Sequence, residues 1–230
     1  MADIKQTDLI LNEDGSVYHL NLKPGQVAET ILLVGDPGRV HRVSHHFDKI
    51  TVELNKREFI THTGLYKNKP VTVMSTGMGP DNIEIAITEL DALFNIDLNT
   101  RQPKEYQKSL KFIRIGTSGG IQASVDAGSI VAAKYGVGLD NLMEFYHLPQ
   151  SEFEITTGNA IQKTAGFTFT PYCVAGSEEL MAQIAHDCIA GNTVTCPGFY
   201  APQGRTTRLK PRYSQLLDQF MYFHENDFWL

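Results

Sequence analysis

The hydrophobic residues of the chain cluster in short runs that end in glycine-rich turns. Three such runs are Ile31–Val34, Val71–Met74 and Phe112–Ile115, and Ser129–Ala133 is a fourth strand candidate. Apolar runs of this length are typical of strands that are covered on both faces of a sheet. Glycine follows each of the first three runs within a few residues, which predicts that each strand ends in a tight turn.

Between the second and third runs, the apolar positions repeat with a helical period. They form one stripe of five side chains: Ile83, Ala86, Ile87, Leu90 and Leu93. This spacing predicts an amphipathic helix, with Asp81 as its N-cap. A strand, a helix and a strand in that order predict two parallel strands joined by a right-handed crossover. A second helix is predicted to begin after Ser177, with Leu180 and Ile184 on its inner face.

Together these elements predict one α/β domain over residues 1–230, with a mostly parallel or mixed sheet. The 230 residues are enough to bury a sizeable core, and the polar stretch 95–109 is predicted to be a surface excursion. Ligands of α/β sheets bind at the carboxyl ends of the strands. We therefore expect the three glycine turns to meet around one site.

Charge and composition narrow the class of partner. The net charge is −6 with no basic block, which argues against nucleic acid or an acidic membrane as a partner. No apolar run approaches the ~20 residues of a membrane span, and the first ten residues lack a signal-peptide core. Cys173, Cys188 and Cys196 have neither metal-ligand nor redox spacing, so we expect no metal site and reduced thiols in a cytoplasmic protein.

Two of the glycine turns bring arginines with them. Arg39 follows the first turn, and Arg114 lies inside the third apolar run. A buried arginine must be paired or must face a polar ligand, because an unpaired buried charge is very costly. With the Thr117 hydroxyl and free backbone N–H groups nearby, the set suits an oxyanion such as phosphate. A buried salt bridge between Arg114 and a carboxylate is the alternative, and the residues alone leave both open.

Six segments in order resemble the nucleoside phosphorylase-I family, and within it the branch that cleaves uridine. They are 17–22 (VYHLNL), 32–40 (LLVGDPGRV), 56–59 (KREF), 73–90 (VMSTGMGPDNIEIAITEL), 112–122 (FIRIGTSGGIQ) and 198–205 (GFYAPQGR). The resemblance implies a three-layer α/β/α sandwich around a mixed, partly barrel-like central sheet. It also implies phosphorolysis of uridine to uracil and ribose 1-phosphate, with deoxyuridine as a further candidate substrate. Phosphate is then a co-substrate, and no cofactor is needed.

The same resemblance implies roles for the residues of the phosphate site. Gly35, Arg39, Arg114 and Thr117 match the family residues that bind phosphate, with Arg114 also counted among the catalytic groups. Arg57 matches an arginine that reaches into the phosphate site of the neighbouring subunit. The implied assembly is a homodimer, or a hexamer built as a trimer of dimers, with shared sites.

The remaining matches concern the nucleoside. His19 matches a histidine that contacts the ribose 5′-hydroxyl across the dimer interface, and Phe199 matches an aromatic that packs on the nucleoside. Gln203 and Arg205 match a pair that reads the uracil edge and stabilises charge on the leaving base. Uracil offers two carbonyl acceptors and an N3–H donor, which suit a glutamine amide and an arginine. The alternative for this pair is an ordinary solvated polar loop.

The chain stops at the segment 224–230 (HENDFWL), where a further segment of the family pattern would be about to begin. The family continues with a Glu-Met-Glu segment that holds the ribose hydroxyls, then a closing strand and helix, whereas this chain finishes with three apolar residues, Phe228–Leu230. We therefore expect either a truncated reading frame or a longer protein. The open alternatives are a purine nucleoside phosphorylase, a nucleosidase, or an inactive relative that only binds phosphate or uracil. A hydrolase would have less need for the arginine cluster.

Overall fold

The structure is a computed structural model that describes residues 4–230. The chain forms two compact units, Met1–Thr117 and Ser118–Leu230, which we call the N-terminal and C-terminal units. Each unit combines helices with strands that run in both directions, so the predicted α/β class with a mixed sheet is confirmed. None of the helices within residues 4–230 combines the length and the apolar character that a membrane crossing requires.

A five-stranded mixed sheet is the framework of the N-terminal unit. The strands of this unit are β1 (Thr30–Val34), β2 (Lys49–Lys56), β3 (Phe59–Tyr66), β4 (Lys69–Ser75), β5 (Ile96–Asp97), β6 (Gln102–Pro103) and β7 (Lys111–Ile115). The sheet order is β2-β3-β4-β1-β7, and β5 pairs with β6 alone, inside the predicted surface excursion. β4, β1 and β7 are parallel, whereas β2 and β3 are antiparallel neighbours.

The three apolar runs predicted as strands lie in β1, β4 and β7. Their parallel direction is confirmed, but β1 is inserted between β4 and β7, so the crossover skips one strand. β1 and β4 are largely buried. β7 is not covered on both faces as predicted: it is at the edge of this sheet, and Ile115 is 45% exposed. The carboxyl ends of all three strands lie at one edge of the sheet, as the site prediction requires.

The helices of the N-terminal unit are α1 (Gly38–Ser44) and α2 (Pro80–Asn95). The predicted N-cap of α2 is wrong: Gly79 is the N-cap, with φ 110°, and Pro80 and Asp81 are already helical. Proline at the first helical position has a pre-set φ and no N–H to satisfy, so the helix begins there. The φ of 110° at Gly79 strains any residue that has a Cβ, so glycine is favoured at this cap.

The buried face of α2 differs from the predicted stripe at several positions: Ile83 is only partly buried, and Glu89, Ala92 and Asn95 are buried outside the stripe. Ala86, Leu90 and Leu93 are buried in the core, as predicted, and burial of a leucine side chain contributes about 1.5–3 kcal/mol. Ile87 is 39% exposed, which contradicts its predicted place in the core. Glu89 is buried instead, because it lies three residues after Ala86 and four before Leu93, on the same face.

A three-stranded sheet and three helices form most of the C-terminal unit. The strands are β8 (Val131–Gly138), β9 (Tyr172–Ala175), β10 (Ile189–Thr195), β11 (His224–Glu225) and β12 (Phe228–Trp229), and the helices are α3 (Glu152–Ala165), α4 (Glu178–Ile184) and α5 (Leu216–Met221). The sheet order is β10-β8-β9, and β11 pairs with β12. The predicted strand at 129–133 corresponds to the start of β8. The core of the C-terminal unit includes Ile161 of α3, Phe220 of α5, Phe228 and Leu230.

The helix predicted after Ser177 is α4. The Ser177 side chain accepts a hydrogen bond from the Leu180 N–H at 3.3 Å, so the predicted N-cap is confirmed. Leu180 is partly buried, but Ile184 is exposed, so the predicted inner face is wrong at its second position. The helix is only seven residues long and has no buried residue, so the sheet covers little of it.

Candidate active site

The turns after β1 and β7 flank the guanidinium group of Arg114, and the turn after β4 lies against the turn after β1. A Cβ placed on Gly35, in the first turn, would lie 3.6 Å from Arg114 Nη2 and 3.6 Å from the carbonyl oxygen of Gly77, in the second turn. A Cβ on Gly116, in the third turn, would lie 3.2 Å from Arg114 Nη1. The glycines therefore keep the backbone close to the guanidinium, and side chains at these positions would occupy the space beside it.

Within the described residues, the guanidinium of Arg114 has no carboxylate counter-ion. Its side chain is exposed, and no carboxylate within residues 4–230 forms an ion pair with it. The buried salt bridge that the sequence left open is therefore not what the structure contains. An exposed arginine among glycine turns presents several N–H donors to a ligand in the geometry that suits an oxyanion.

Arg39 and Thr117 lie at the same edge of the sheet. Arg39 is the second residue of α1 and is partly buried. The turn that leads to it is organised by Asp36, whose side chain accepts from the Gly38 N–H at 2.9 Å and whose carbonyl accepts from the Arg39 N–H at 3.0 Å. Thr117 follows β7 by two residues and is exposed.

Arg57 is the first of the two residues that join β2 and β3. Its φ is 55°, a left-handed conformation that usually belongs to glycine at this hairpin position and that carries strain for other residues. The Arg57 guanidinium carbon lies 5.7 Å from the centre of the Tyr18 ring, and that ring is 4.8 Å from the His19 ring. The structure thus brings Arg57 and His19, the two residues predicted to complete a partner's site, into one neighbourhood.

His19 has a partner that the sequence analysis missed. Its Nδ1 lies 2.6 Å from Oε1 of Glu89 on α2. A pattern in the sequence could have pointed to Glu89, because a charged residue stands there on the apolar stripe of an otherwise amphipathic helix. Buried carboxylates are retained only where hydrogen bonds satisfy them, so this position predicts a polar contact of functional or structural importance.

In the C-terminal unit, the base-binding candidates form one compact loop. The guanidinium carbon of Arg205 lies 4.0 Å from the centre of the Phe199 ring. Arg205 Nη1 donates to the Phe199 carbonyl at 2.9 Å and to the Gln203 side-chain carbonyl. Gly204 ends the intervening 3-10 helix with φ 73°. The three predicted residues are therefore brought together, and the aromatic ring of Phe199 is exposed.

Two of the three thiols lie in surroundings that disfavour the thiolate. Burial raises the pKa of Cys173 and of Cys196 to about 11, so both thiols stay protonated at neutral pH. Within residues 4–230, no three His, Cys, Asp or Glu side chains are grouped so as to hold a metal ion. The candidate chemistry is that of the arginines and the base-binding loop.

Comparison with known proteins identifies the family. A profile of the phosphorylase superfamily matches residues 29–221, and the chain belongs to this superfamily. Over 134 residues it is 40% identical to a uridine phosphorylase of Thermococcus kodakarensis, a match that covers 58% of this chain and 43% of the relative. Over 117 residues it is 39% identical to a DeoD-type purine nucleoside phosphorylase of Listeria welshimeri, covering 50% of this chain and 45% of the relative.

A solved structure extends the likeness over most of the chain. A Trypanosoma brucei nucleoside phosphorylase that shows uridine phosphorylase activity superposes with a TM-score of 0.84 at 28% identity, covering 94% of this chain and 78% of that protein. The matches to the two curated relatives span less than half of their lengths. The expected nucleoside phosphorylase family and its α/β fold are thereby confirmed, while relatives of both base specificities are present.

Proposed function

We propose that this protein is a nucleoside phosphorylase that transfers the ribosyl group of uridine to inorganic phosphate. The products are uracil and ribose 1-phosphate, as in a pyrimidine salvage reaction. The observation that carries the proposal is the unpaired guanidinium of Arg114 among three glycine turns. A cationic, donor-rich site of this kind has phosphate as its natural ligand.

Phosphate is activated by position and charge in this proposal. Arg114, Arg39 and Thr117 bind the dianion at the carboxyl ends of the strands, and the glycine turns let it approach the backbone N–H groups. One phosphate oxygen attacks C1′ while the bond to the base breaks. The cluster orients the nucleophile and neutralises its charge, which are positioning and electrostatic contributions to the rate. No protein nucleophile, metal or cofactor takes part.

The base leaves with negative charge that the loop of the C-terminal unit stabilises. Gln203 accepts one hydrogen bond from Arg205, and an amide carbonyl has a second lone pair for the N3–H of uracil. The N–H₂ group of Gln203 donates to one uracil carbonyl, and the guanidinium of Arg205 donates to the other. Phe199 offers an exposed ring for packing against the nucleoside.

A purine nucleoside is the second candidate substrate, favoured by the likeness to the Listeria welshimeri enzyme. A purine leaving group is assisted best by an acid near N7, whereas this loop supplies an amide and a guanidinium. Uridine is therefore the substrate that we propose. Parallel measurements of kcat/KM with uridine, deoxyuridine and inosine separate the two, and a larger value for inosine would reject the pyrimidine assignment.

We further propose that two copies of the chain share their sites. Arg57 and His19 both lie close to Tyr18 in space, and in sequence they are far from the base-binding loop. The left-handed backbone at Arg57 is of a kind that often occurs at functional positions. A two-fold dimer would carry two equivalent sites, each completed by the other subunit. The three free thiols fit a reducing compartment, and this supports a cytoplasmic location as part of the proposal.

The test is the phosphate dependence of uracil release. The full chain is incubated with uridine over a range of phosphate concentrations, beside Arg42→Ala, an exposed arginine of α1 that serves as the control. We expect release to saturate with phosphate and to vanish without it, for wild type and Arg42→Ala alike. Equal release in phosphate-free buffer would make the protein a hydrolase and overturn the proposal.

A further inference from the structure

Glu89 is a buried carboxylate with an unusual set of donors. Its side chain lies on α2 and the residue is 6% exposed. The backbone N–H of His19 donates to Oε1 at 3.0 Å, and the N–H of Leu20 donates to Oε2 at 2.9 Å. The Nδ1 atom of the His19 ring is 2.6 Å from Oε1. His19 is the only basic side chain within residues 4–230 that forms an ion pair with this carboxylate.

These contacts determine which nitrogen of the His19 ring carries the proton toward Glu89. Both carboxylate oxygens already accept backbone N–H groups, so the carboxylate is the acceptor and Nδ1 is the donor. The other ring nitrogen, Nε2, makes no hydrogen bond within the described chain, and the His19 side chain is 29% exposed. Nε2 is therefore the atom that His19 offers to a ligand. A ligand hydroxyl can donate to it when the ring is neutral and accept from it when the ring is charged.

We propose that Glu89 is a positioning residue that holds His19 with Nδ1 protonated, so that Nε2 meets the 5′-hydroxyl of the bound nucleoside. This inference rests on the proposed function, because it requires a nucleoside in the site. It assigns to Glu89 a part in substrate selection: nucleosides that carry a free 5′-hydroxyl gain a contact that 5′-deoxynucleosides lack. Glu89 itself does not touch the substrate.

A purely structural role for Glu89 is the competing explanation. The two backbone hydrogen bonds anchor the segment 17–22, and this would be needed in any folded protein of this shape. The chain offers a matched control in Glu154, which is 8% exposed and accepts from the backbone N–H groups of Ser151 and Ala175, both at 2.7 Å. Glu154 contacts no candidate site residue, so its loss tests the cost of removing such an anchor alone.

The experiment compares uridine with 5′-deoxyuridine in Glu89→Gln, Glu154→Gln and His19→Ala. Because the contact between Nε2 and the 5′-hydroxyl is lost or misaligned, we expect Glu89→Gln and His19→Ala each to lower kcat/KM for uridine about 10-fold or more. Neither should change kcat/KM for 5′-deoxyuridine more than about twofold. Glu154→Gln should affect both nucleosides equally. Thermal melts of all variants record the stability cost separately.

Imidazole ¹⁵N NMR of His19 gives a readout that does not depend on turnover. Wild type should show a protonated Nδ1, and Glu89→Gln should lose this preference. An unprotonated Nδ1 in wild type, or an equal loss for both nucleosides in Glu89→Gln, would overturn the role of Glu89. If instead wild type releases no base from either nucleoside in the presence of phosphate, the proposed function fails. If Glu89→Gln does not fold, two measurements still decide: His19→Ala tests the contact of Nε2 with the 5′-hydroxyl, and the wild-type spectrum tests whether Nδ1 carries the proton that Glu89 should hold there.

Discussion

Replacing Arg114 by alanine separates a ligand-binding arginine from a structural one. The guanidinium has no carboxylate partner within residues 4–230 and its side chain is exposed. Substitutions at such positions change the free energy of unfolding by no more than about 0.5 kcal/mol. In contrast, removing a donor aimed at developing charge costs about 10²–10³-fold in kcat, or roughly 2.7–4 kcal/mol of transition-state stabilisation.

The assay pairs urea unfolding curves with uracil release at saturating phosphate. Arg114→Ala should unfold at nearly the wild-type urea concentration, while kcat/KM falls by at least about 10²-fold. Arg114→Lys should recover only part of this loss, because an ammonium group keeps the charge but lacks the planar fork of donors. Arg42→Ala should match wild type in both measurements.

The opposite pattern would refute this reasoning. A structural ion pair would show itself as a loss of about 3–5 kcal/mol in the free energy of unfolding when one partner is removed. If Arg114→Ala were destabilised to that extent, or if it kept wild-type kcat/KM, the guanidinium would not be the phosphate ligand. The convergence of the three glycine turns would then need another explanation.

Two further predictions concern the assembly and the response to pH. Arg57→Ala and Gln203→Ala should each be inactive alone. When their subunits exchange, activity should return to at most about half of the wild-type value, because one site of each heterodimer is intact. Confirmed subunit exchange without a return of activity would reject shared sites. His62 is buried beside Ser44 and His41, opposite Glu53 on β2, and burial lowers its pKa from the ordinary 6.5. Below about pH 6.5 the unfolded chain therefore binds more protons than the folded chain, so the free energy of unfolding should fall as the pH drops. It should fall less steeply with pH in His62→Gln, and equal slopes in the variant and wild type would contradict this.

The elements that could be predicted from the sequence are those with a strong local pattern. The apolar runs of β1 and β4 and the glycine turns after them are local features. The convergence of the turns follows because the carboxyl ends of parallel strands share an edge. Arg114 was singled out since it interrupts an apolar strand. The structure places it beside Gly35 and Gly116, but its side chain is exposed and not buried as the apolar run predicted, because β7 is an edge strand of its sheet.

The errors come from interactions between distant parts of the chain. The insertion of β1 between β4 and β7 is a choice of strand pairing that no local pattern encodes. The burial of Glu89 depends on a distant segment: the backbone of residues 19 and 20 supplies donors that satisfy this carboxylate on the core side of α2. The spacing of apolar residues along a helix carries no information about a hydrogen-bond partner in a distant segment.

The roles of individual residues remain predictions, because they depend on a ligand and on a second subunit. Arg57 and His19 are adjacent through Tyr18, but their action in a partner's site is a property of the assembly. Gln203 and Arg205 form an ordered pair with Phe199, while the choice between uracil and a purine depends on how a base meets that pair.

The most direct test of phosphorolysis is a ³¹P NMR measurement of the reaction mixture. Uridine, inorganic phosphate and the full chain are incubated together, and the phosphorus signals are followed alongside the release of uracil. We predict a new sugar 1-phosphate signal that grows in a one-to-one ratio with uracil, while inorganic phosphate declines by the same amount. Uracil released with free ribose, and with the phosphate signal unchanged, would contradict the account.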